Sequence, residues 1–196
     1  MVDGSGIVFA KAFAALFTEE EGRLVEFADF DTARYIFLDR ENNNEILLEV
    51  EFAGARKESY ETDSRKPIVE QTSVEEDLSR RDFTVNALYY NIADFSVVDF
   101  CQGMRDLTKR TIRLIGDPEA RYREDPLRLL RAIRFAAKLQ FKLETKTEKP
   151  LFSLGYLLEH IPGARLFDEF LKLFFKGHAV ASFTELQHYA LFQYLF

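Results

Sequence analysis

Residues 80–88 concentrate side chains that suit a nucleotide. The sequence there, Arg-Arg-Asp-Phe-Thr-Val-Asn-Ala-Leu, sets two arginines beside an aspartate and an asparagine. A guanidinium can bind phosphate or ribose oxygens in pairs, and an aspartate can accept a hydrogen bond from a ribose hydroxyl. Arg81, Asp82 and Asn86 are therefore candidate nucleotide ligands. A helix start with Asp82 near its N-terminus explains the same residues without a ligand.

A second cluster, in residues 123–131, suits the recognition of a base. Its sequence is Arg-Glu-Asp-Pro-Leu-Arg-Leu-Leu-Arg, so Glu124 and Asp125 lie four and three residues before Arg128. On a helix these spacings place all three side chains on one side. A fixed Asp and Arg offer an acceptor and donors to a Watson–Crick edge, which a polymerase without a template requires. An acidic first turn with an intrahelical salt bridge is the plainer alternative.

Positive charge continues along the same predicted helix, where Arg131, Arg134 and Lys138 could meet the phosphates of RNA. Residues 105–138 hold ten Lys or Arg against five Asp or Glu, although the net charge of the 196-residue chain is −7. A local basic stripe on an acidic protein fits one confined site for phosphates. A solvated helix face is the alternative.

A third candidate is Glu51, at the end of a predicted strand and five residues before Arg56. A carboxylate that faces a cleft from a strand end could bind Mg²⁺. Most glutamates in such positions are merely solvated, so the residue alone leaves both interpretations open.

The composition, 47% hydrophobic and 30% charged, is typical of a folded globular protein and argues against a disordered one. Twenty Phe and no Trp predict a core built on phenylalanine. No apolar run approaches the roughly 20 residues that span a bilayer. The N-terminus has no basic region, so we expect neither a membrane span nor a signal peptide. The single cysteine, Cys101, cannot form an internal disulfide, which favours a reducing cytoplasm.

Periodicity predicts mixed structure before residue 118 and helices alone after it. The elements before residue 118 are helices at 7–20 and 81–90, strands at 33–38, 46–52 and 96–100, a turn at 42–44 and a polar loop at 56–79. The later helices are at 124–139, 151–158, 164–175 and 183–196. The sequence therefore predicts an α+β domain over residues 1–118 and a helical domain over 119–196.

Three segments, in order along the chain, resemble motifs of one family. Residues 80–88 resemble the motif R-R-D-F-T-x-N-A-L, residues 99–107 an Asp…Gly…Asp-Leu motif, and residues 123–128 a nucleotide-selecting E-D-x-x-R motif. These are motifs of bacterial poly(A) polymerases and CCA-adding tRNA nucleotidyltransferases, the class II enzymes of the polymerase-β superfamily. Residues 77–196 look most like poly(A) polymerase and residues 48–70 more like CCA-adding enzymes.

The resemblance implies a role for each candidate nucleotide ligand. Arg81 and Asp82 would contact the sugar of the incoming nucleotide. Asp125 and Arg128 would face its base, with Glu124 holding Arg128.

The resemblance also implies a polymerase-β-type head that is shortened at its start, with an incomplete sheet, followed by a helical neck and the start of an RNA-binding domain. Glu51 matches a third carboxylate beside the family's metal site, and Asp99 and Asp106 would hold head and neck in register. The family's Gly-Gly turn and the strand with its Asp-x-Asp pair, which binds two Mg²⁺ ions, are not recognised. Gly4-Ser5-Gly6-Ile7 resembles the segment after that strand, and Asp3 aligns with neither aspartate.

The implied reaction is the transfer of nucleotides, chiefly AMP from ATP, to the 3′ end of an mRNA or tRNA, with Mg²⁺ as cofactor. Because the metal site is incomplete, we expect a catalytically impaired chain. The alternatives are CCA addition to tRNA, a non-catalytic nucleotide- or RNA-binding remnant, and a truncated domain that only packs. An uncovered strand edge in the shortened head would favour self-association.

Overall fold

The computed structural model describes residues 1–2, 4–59 and 68–195. The chain divides into two compact units, Met1–Arg80 and Arg81–Phe196. Helices and strands occur together, as the α+β expectation requires. The domain boundary predicted near residue 118 separates mixed structure from helices, which is a different criterion from the division into compact units, and it stays a prediction.

The first unit contains a three-stranded antiparallel sheet and a separate two-stranded hairpin. Its elements are α1 (Gly6–Ala14), β1 (Gly22–Phe27), β2 (Thr32–Asp39), β3 (Glu45–Ala53), β4 (Arg56–Ser59), β5 (Ile68–Gln71) and α2 (Val74–Asp77). The strand order is β1-β2-β3, with β4 paired to β5. The predicted hairpin of β2 and β3 is confirmed, and the two asparagines at its turn, Asn43 and Asn44, have positive φ, which asparagine tolerates.

Phenylalanine dominates the core of this unit. The ring centroid of Phe13 on α1 is 5.7 Å from the ring centroid of Tyr35 and 4.9 Å from that of Phe52. Phe17 and Phe37 complete the cluster, with their ring centroids 5.0 Å apart. Aromatic pairs of this kind add about 0.5–1.5 kcal/mol beyond the area that they bury. This cluster fixes α1 on one face of the sheet.

Helix α1 ends at Ala14, six residues before the predicted end. The Leu16 amide donates to the Phe13 carbonyl and the Phe17 amide to the Ala14 carbonyl, both at 3.1 Å, which forms a turn after α1. In the next turn the Thr18 amide and hydroxyl donate to the Glu21 carboxylate at 2.8 and 2.9 Å. The short strand β1, which periodicity did not predict, follows directly.

The prediction of a polar loop over residues 56–79 is wrong for the described part of that segment; residues 60–67 lie outside it. Strand β4 pairs with β5 from Arg56↔Gln71 onward, and α2 follows. The fully buried Asp77 carboxylate anchors the end of the segment by accepting from the Arg56 amide at 3.2 Å and from Arg80 Nε at 2.7 Å. Backbone pairing and a buried carboxylate need no apolar alternation, so periodicity misses them.

The second unit is mainly helical. Its elements are β6 (Leu88–Tyr90), β7 (Val97–Asp99), α3 (Gly103–Thr108), β8 (Thr111–Ile112), α4 (Pro118–Glu124), α5 (Leu127–Leu139), β9 (Lys142–Leu143), α6 (Thr145–Glu148), α7 (Gly163–Phe174) and α8 (Ala179–His188). Helix α5 lies at the centre and contacts α4, α7 and α8. Its Leu129, Leu130 and Ile133 are fully buried. Each such side chain contributes roughly 1.5–3 kcal/mol of burial free energy.

The predicted helix over residues 81–90 is wrong. Phe83 instead forms an isolated bridge with Leu114, and the Thr84 amide donates to the Arg113 carbonyl at 3.0 Å. A 3₁₀ turn, Thr84–Asn86, then leads into β6. Pairing with a segment 30 residues away therefore overrides the local helical pattern.

The helix predicted over residues 124–139 is present as α5 and ends at Leu139 as expected, but it begins at Leu127, because Glu124 is the last residue of the preceding helix α4. Asp125 has extended backbone angles, φ −139° and ψ 95°, between α4 and α5. The residue before a proline is sterically disfavoured in the α region, and Pro126 follows. The predicted helix over residues 164–175 is confirmed as α7, Gly163–Phe174. Residues 151–158, in contrast, are largely 3₁₀ turns, and the last α-helix, Ala179–His188, begins and ends earlier than the predicted 183–196. No helix in the described parts of the chain is long and apolar enough to cross a membrane.

Strand β3 presents an apolar edge that we expect to mediate association. Ile46, Leu47 and Leu48 are all more than half exposed, and within the described residues the sheet order leaves β3 at an edge. Exposed apolar strand edges template pairing with other chains. We predict that the chain self-associates at high concentration and that Leu47→Lys shifts the mass in light scattering toward the monomer. Leu16→Lys, at an equally exposed leucine outside the sheet, should change nothing; a monomeric parent chain would contradict the prediction.

Candidate functional site

Asp82 is the centre of the site in the second unit, with 8% of its surface exposed. Its carboxylate accepts from Arg131 Nε on α5 at 2.7 Å and also from Arg131 Nη2. It further accepts from the Phe83 amide at 2.7 Å and from Asn86 Nδ2 at 3.1 Å. Four donors thus fix the carboxylate and tie residues 82–86 to α5.

Arg81 and Asn86 belong to the same network. The Arg81 guanidinium lies over the ring of Tyr89, 4.8 Å from its centroid, and donates from Nη1 to the Asn86 carbonyl at 3.2 Å. The Arg81 carbonyl accepts from Arg121 Nη2 at 2.8 Å. The first candidate motif is therefore connected by hydrogen bonds to α4, which leads into the second.

Two arginines share one glutamate at the end of α4. Arg128 Nη1 donates to Glu124 at 2.9 Å and to the Arg121 carbonyl at 2.8 Å, and Arg121 also contacts Glu124. Burial and the neighbouring Arg128 charge lower the pKa of the Arg121 guanidinium. This cluster, Arg121–Glu124–Arg128, concentrates positive charge and fixes the direction of Arg128.

Asp125 is separate from that cluster because the chain is extended there. Its carboxylate accepts from Arg165 Nη2 at 3.0 and 3.2 Å, and Arg165 lies in the first turn of α7. The expectation that Glu124, Asp125 and Arg128 share one helix face is therefore wrong, since Pro126 interrupts the helix. The ion pair between Glu124 and Arg128 is nevertheless present. Sequence reasoning did not single out Arg165, and its distance of 40 residues from Asp125 gives no local signal.

The three basic residues proposed for RNA differ in their surroundings. Arg131 is held by Asp82. Arg134 contacts the buried Glu169 and lies over the Phe135 ring at 4.3 Å. Lys138 is exposed and lines an open depression of about 690 Å³ together with Lys176 and His178. RNA contact by the three residues stays a prediction, and Lys138 has the surroundings that suit it.

Glu51 lies in the first unit, on β3, with an exposed side chain. Its carboxylate is 3.3 Å from Arg34 Nη2, and Glu49 contacts the same guanidinium at 3.0 Å. Among the described residues there is no group of three or more His, Cys, Asp or Glu that could hold a metal ion. Metal binding by Glu51 stays a prediction.

The sequence argument also passed over Asp29 and Asp31, which have Asp-x-Asp spacing. Asp31 binds the start of α1: its carboxylate accepts from the Ser5 hydroxyl at 2.5 Å and from the Gly6 amide at 3.2 Å. Gly6 approaches the Asp31 carbonyl so closely that a Cβ there would lie 2.5 Å from the oxygen. Asp31 thus caps the start of α1 together with the N-cap residue Ser5.

Asp99 and Asp106 are structural within the second unit. Burial alone would raise the pKa of Asp99, but the amides of Met104, Gly103 and Cys101 outweigh it and lower that pKa. Asp106 is fully buried and accepts from the Thr84 hydroxyl at 2.7 Å and from Arg113 Nε at 2.9 Å. Both carboxylates fix the backbone that leads into the nucleotide-site candidates.

The fold matches the nucleotidyltransferase head and helical neck of CCA-adding enzymes. Residues 8–113 match the family model described as "Poly A polymerase head domain", and residues 140–196 match "Probable RNA and SrmB- binding site of polymerase A". The chain belongs to the poly(A) polymerase head-domain family, which confirms the resemblance found in the sequence.

Curated relatives include both kinds of enzyme. Poly(A) polymerase I of Salmonella typhi is 55% identical over 124 residues, which cover 63% of this chain and 27% of that protein. A CCA-adding enzyme of Bacillus cereus (strain Q1) is 38% identical over 168 residues, covering 83% of this chain and 42% of that protein. This chain thus spans well under half the length of these relatives.

Solved structures agree over nearly the whole chain. A tRNA-processing enzyme with CTP has a TM-score of 0.79 and 30% identity, covering 98% of this chain and 47% of that one. A tRNA nucleotidyltransferase complexed with a primer tRNA and an incoming ATP analogue has a TM-score of 0.78 and 31% identity, covering 98% and 51%. These matches confirm the predicted fold class.

The Asp82–Arg131 pair should matter more for stability than the exposed Lys138. Arg131→Ala leaves a buried carboxylate without its charged donors, and a hydrogen bond to a charged group is worth about 1.5–3 kcal/mol. We predict a loss of about 2–3 kcal/mol in the free energy of unfolding for Arg131→Ala, and a change within about 0.5 kcal/mol for Lys138→Ala. Urea unfolding measures both. Equal, small losses would show that the buried pair does not hold residues 82–86.

Proposed function

We propose that this chain carries the nucleotide-selecting part of a template-independent RNA 3′-end nucleotidyltransferase that transfers chiefly AMP from ATP. The observation that supports this proposal is the ion pair by which Glu124 holds Arg128. The residue that follows Glu124 is Asp125, whose backbone is extended. A fixed guanidinium and carboxylate present donors and acceptors to a base edge without any nucleic acid template.

Base recognition would use the Arg128 guanidinium and the Asp125 carboxylate. Arg128 donates from Nη1 to Glu124 and to the Arg121 carbonyl. A guanidinium carries five N–H donors in one plane, so fixing one of them fixes the directions of all. The Asp125 carboxylate would accept from the exocyclic amino group of adenine.

Sugar and phosphate recognition would fall to the neighbouring segment. Asp82 is held by Arg131 and Asn86, and it keeps residues 82–86 rigid beside α5. Arg81, which lies over Tyr89, supplies the charge for a sugar or phosphate oxygen. Arg121 connects this segment to the base-recognition cluster through the Arg81 carbonyl.

The 3′ end of an RNA, mRNA or tRNA, is the proposed acceptor. Lys138 and Lys176 line the same open depression in the second unit. Arg131 and Arg134 are weaker candidates than Lys138 for contact with phosphate, because a carboxylate already binds each guanidinium. The tRNA in a related nucleotidyltransferase structure supports an RNA partner.

CCA addition to tRNA is the second candidate function. It is supported by the Bacillus cereus relative, which matches a larger share of this chain than the poly(A) polymerases do. Both reactions require an acceptor for an exocyclic amino group, which adenine and cytosine share. Supplying ATP alone, or CTP and ATP together, with a tRNA lacking its terminal CCA distinguishes them by the length and composition of the product.

Mg²⁺ is the cofactor expected for this class of transferase, and Glu51 is the candidate ligand. Since the described residues do not assemble a metal cluster, we expect the isolated 196-residue chain to extend an RNA primer far more slowly than full-length relatives. Loss of one well-placed electrostatic group costs about 10²–10³ in rate. Incorporation of labelled ATP by the purified chain measures this, and a rate equal to that of a full-length relative would contradict it.

Nucleotide binding tests the proposed function directly. We predict weak ATP binding by the parent chain and a loss of roughly ten- to hundredfold for Arg128→Ala, because a bond to a charged group is worth about 1.5–3 kcal/mol. Lys146→Ala removes one exposed charge from α6 and should change the affinity by less than about fivefold. NMR titration with ATP measures all three proteins.

Two results would count against the proposal. Equal losses in the two variants would reduce the Glu124–Arg128 pair to a structural connection between α4 and α5. No ATP binding by the folded parent chain would favour a domain that only packs.

A further inference from the structure

Asp125 and Arg165 form a contact between the break in α4–α5 and the start of α7. Arg165 Nη2 lies 3.0 Å from one carboxylate oxygen of Asp125 and 3.2 Å from the other. The pair joins residues 40 positions apart.

The backbone on the Asp125 side is fixed. The Asp125 amide donates to the Arg121 carbonyl at 3.2 Å, and the Asp125 carbonyl accepts from the Arg128 amide at 3.0 Å. Pro126 restricts the backbone further. The remaining freedom of Asp125 is the rotation of its side chain, and Arg165 is placed to restrict that rotation.

The backbone on the Arg165 side is fixed as well. Glu169 lies one turn after Arg165 on α7, is buried, and binds Arg134 of α5. Leu173 is also buried on the same helix. Because α7 is thus attached to α5, the first turn of α7 keeps its position relative to Asp125.

The Asp125 carboxylate keeps capacity for another donor. A carboxylate has about four acceptor positions. Arg165 uses one nitrogen, and the Leu127 amide is a weak donor at 3.4 Å. The side chain of Asp125 is 27% exposed, so a ligand can reach it.

We propose that Arg165 is a positioning residue for base selection. It orients the Asp125 carboxylate so that it accepts from the exocyclic amino group of adenine or cytosine and opposes the carbonyl of guanine or uracil. The inference rests on the proposed nucleotide-binding function. Arg165 itself touches no nucleotide; it acts through Asp125.

The test measures selectivity rather than affinity alone. The full chain, Arg165→Ala, Arg165→Gln and Arg105→Ala are titrated with ATP and with GTP by NMR. Arg165→Gln keeps most of the side-chain stem if the alanine variant folds poorly. Arg105→Ala removes an arginine that is exposed on α3 and bonded to Gln102. Thermal unfolding of each variant reports on folding.

We expect Arg165→Ala and Arg165→Gln to lower the ratio of ATP to GTP affinity by about tenfold, the scale of discrimination by one well-oriented polar contact to a base. Arg105→Ala should leave the ratio unchanged. In a chain that already carries Asp125→Asn, adding Arg165→Ala should have no further effect on the ratio.

The outcomes separate the two proposals. If the parent binds ATP selectively and the Arg165 variants keep its ATP-to-GTP ratio, the positioning role is wrong and the proposed function stands. If they lose affinity for both nucleotides equally, Arg165 is only structural. If the folded parent binds no ATP, the proposed function is wrong and this inference with it.

Discussion

Three arginines, spaced three residues apart on α5, bind carboxylates from three different parts of the second unit. Arg128 contacts the end of α4, Arg131 the segment 82–86, and Arg134 helix α7. The opposite face of α5 carries the leucines and isoleucine of the core. One amphipathic helix therefore determines both the packing of this unit and the positions of its candidate ligands.

Such pairs specify an arrangement more than they stabilise it. Moving two charges out of water costs free energy that their attraction only partly offsets, whereas removing one partner leaves the other charge buried and unpaired. Glu169 illustrates this, since it is 1% exposed and receives both Arg134 and, at 3.5 Å, Lys172. The row of arginines on α5 thus excludes alternative placements of the neighbouring segments, which a nucleotide site needs.

The sequence predicted the elements that local patterns encode. The alternation of apolar residues and the asparagine turn predicted the β2–β3 hairpin, and the motifs in residues 80–88 and 123–128 indicated the family. Pro126 also carried enough information to predict the break at Asp125, because the steric rule for the residue before proline is local.

What the sequence could not show depends on contacts between distant residues. The partners of Arg131, Arg134 and Asp125 lie 49, 35 and 40 residues away, and nothing in their own neighbourhoods indicates them. Phe83 and Leu88 fit a helix as well as an extended segment, and the bridge from Phe83 to Leu114 decides between the two. Tertiary packing determines these partners, and the periodicity of a single sequence carries no signal for them.

The ion pairs of the α5 arginines within the protein affect how strongly the binding of a polyanion to this helix would depend on salt. A cation that approaches phosphate displaces condensed counterions, and their release makes the affinity fall with salt. An arginine already neutralised by a protein carboxylate contributes little to that release. Lys138, exposed at the end of α5, is not engaged in this way by any ion pair found among the described residues. Counting the basic residues of α5 would therefore overstate the ionic-strength dependence of binding at this surface.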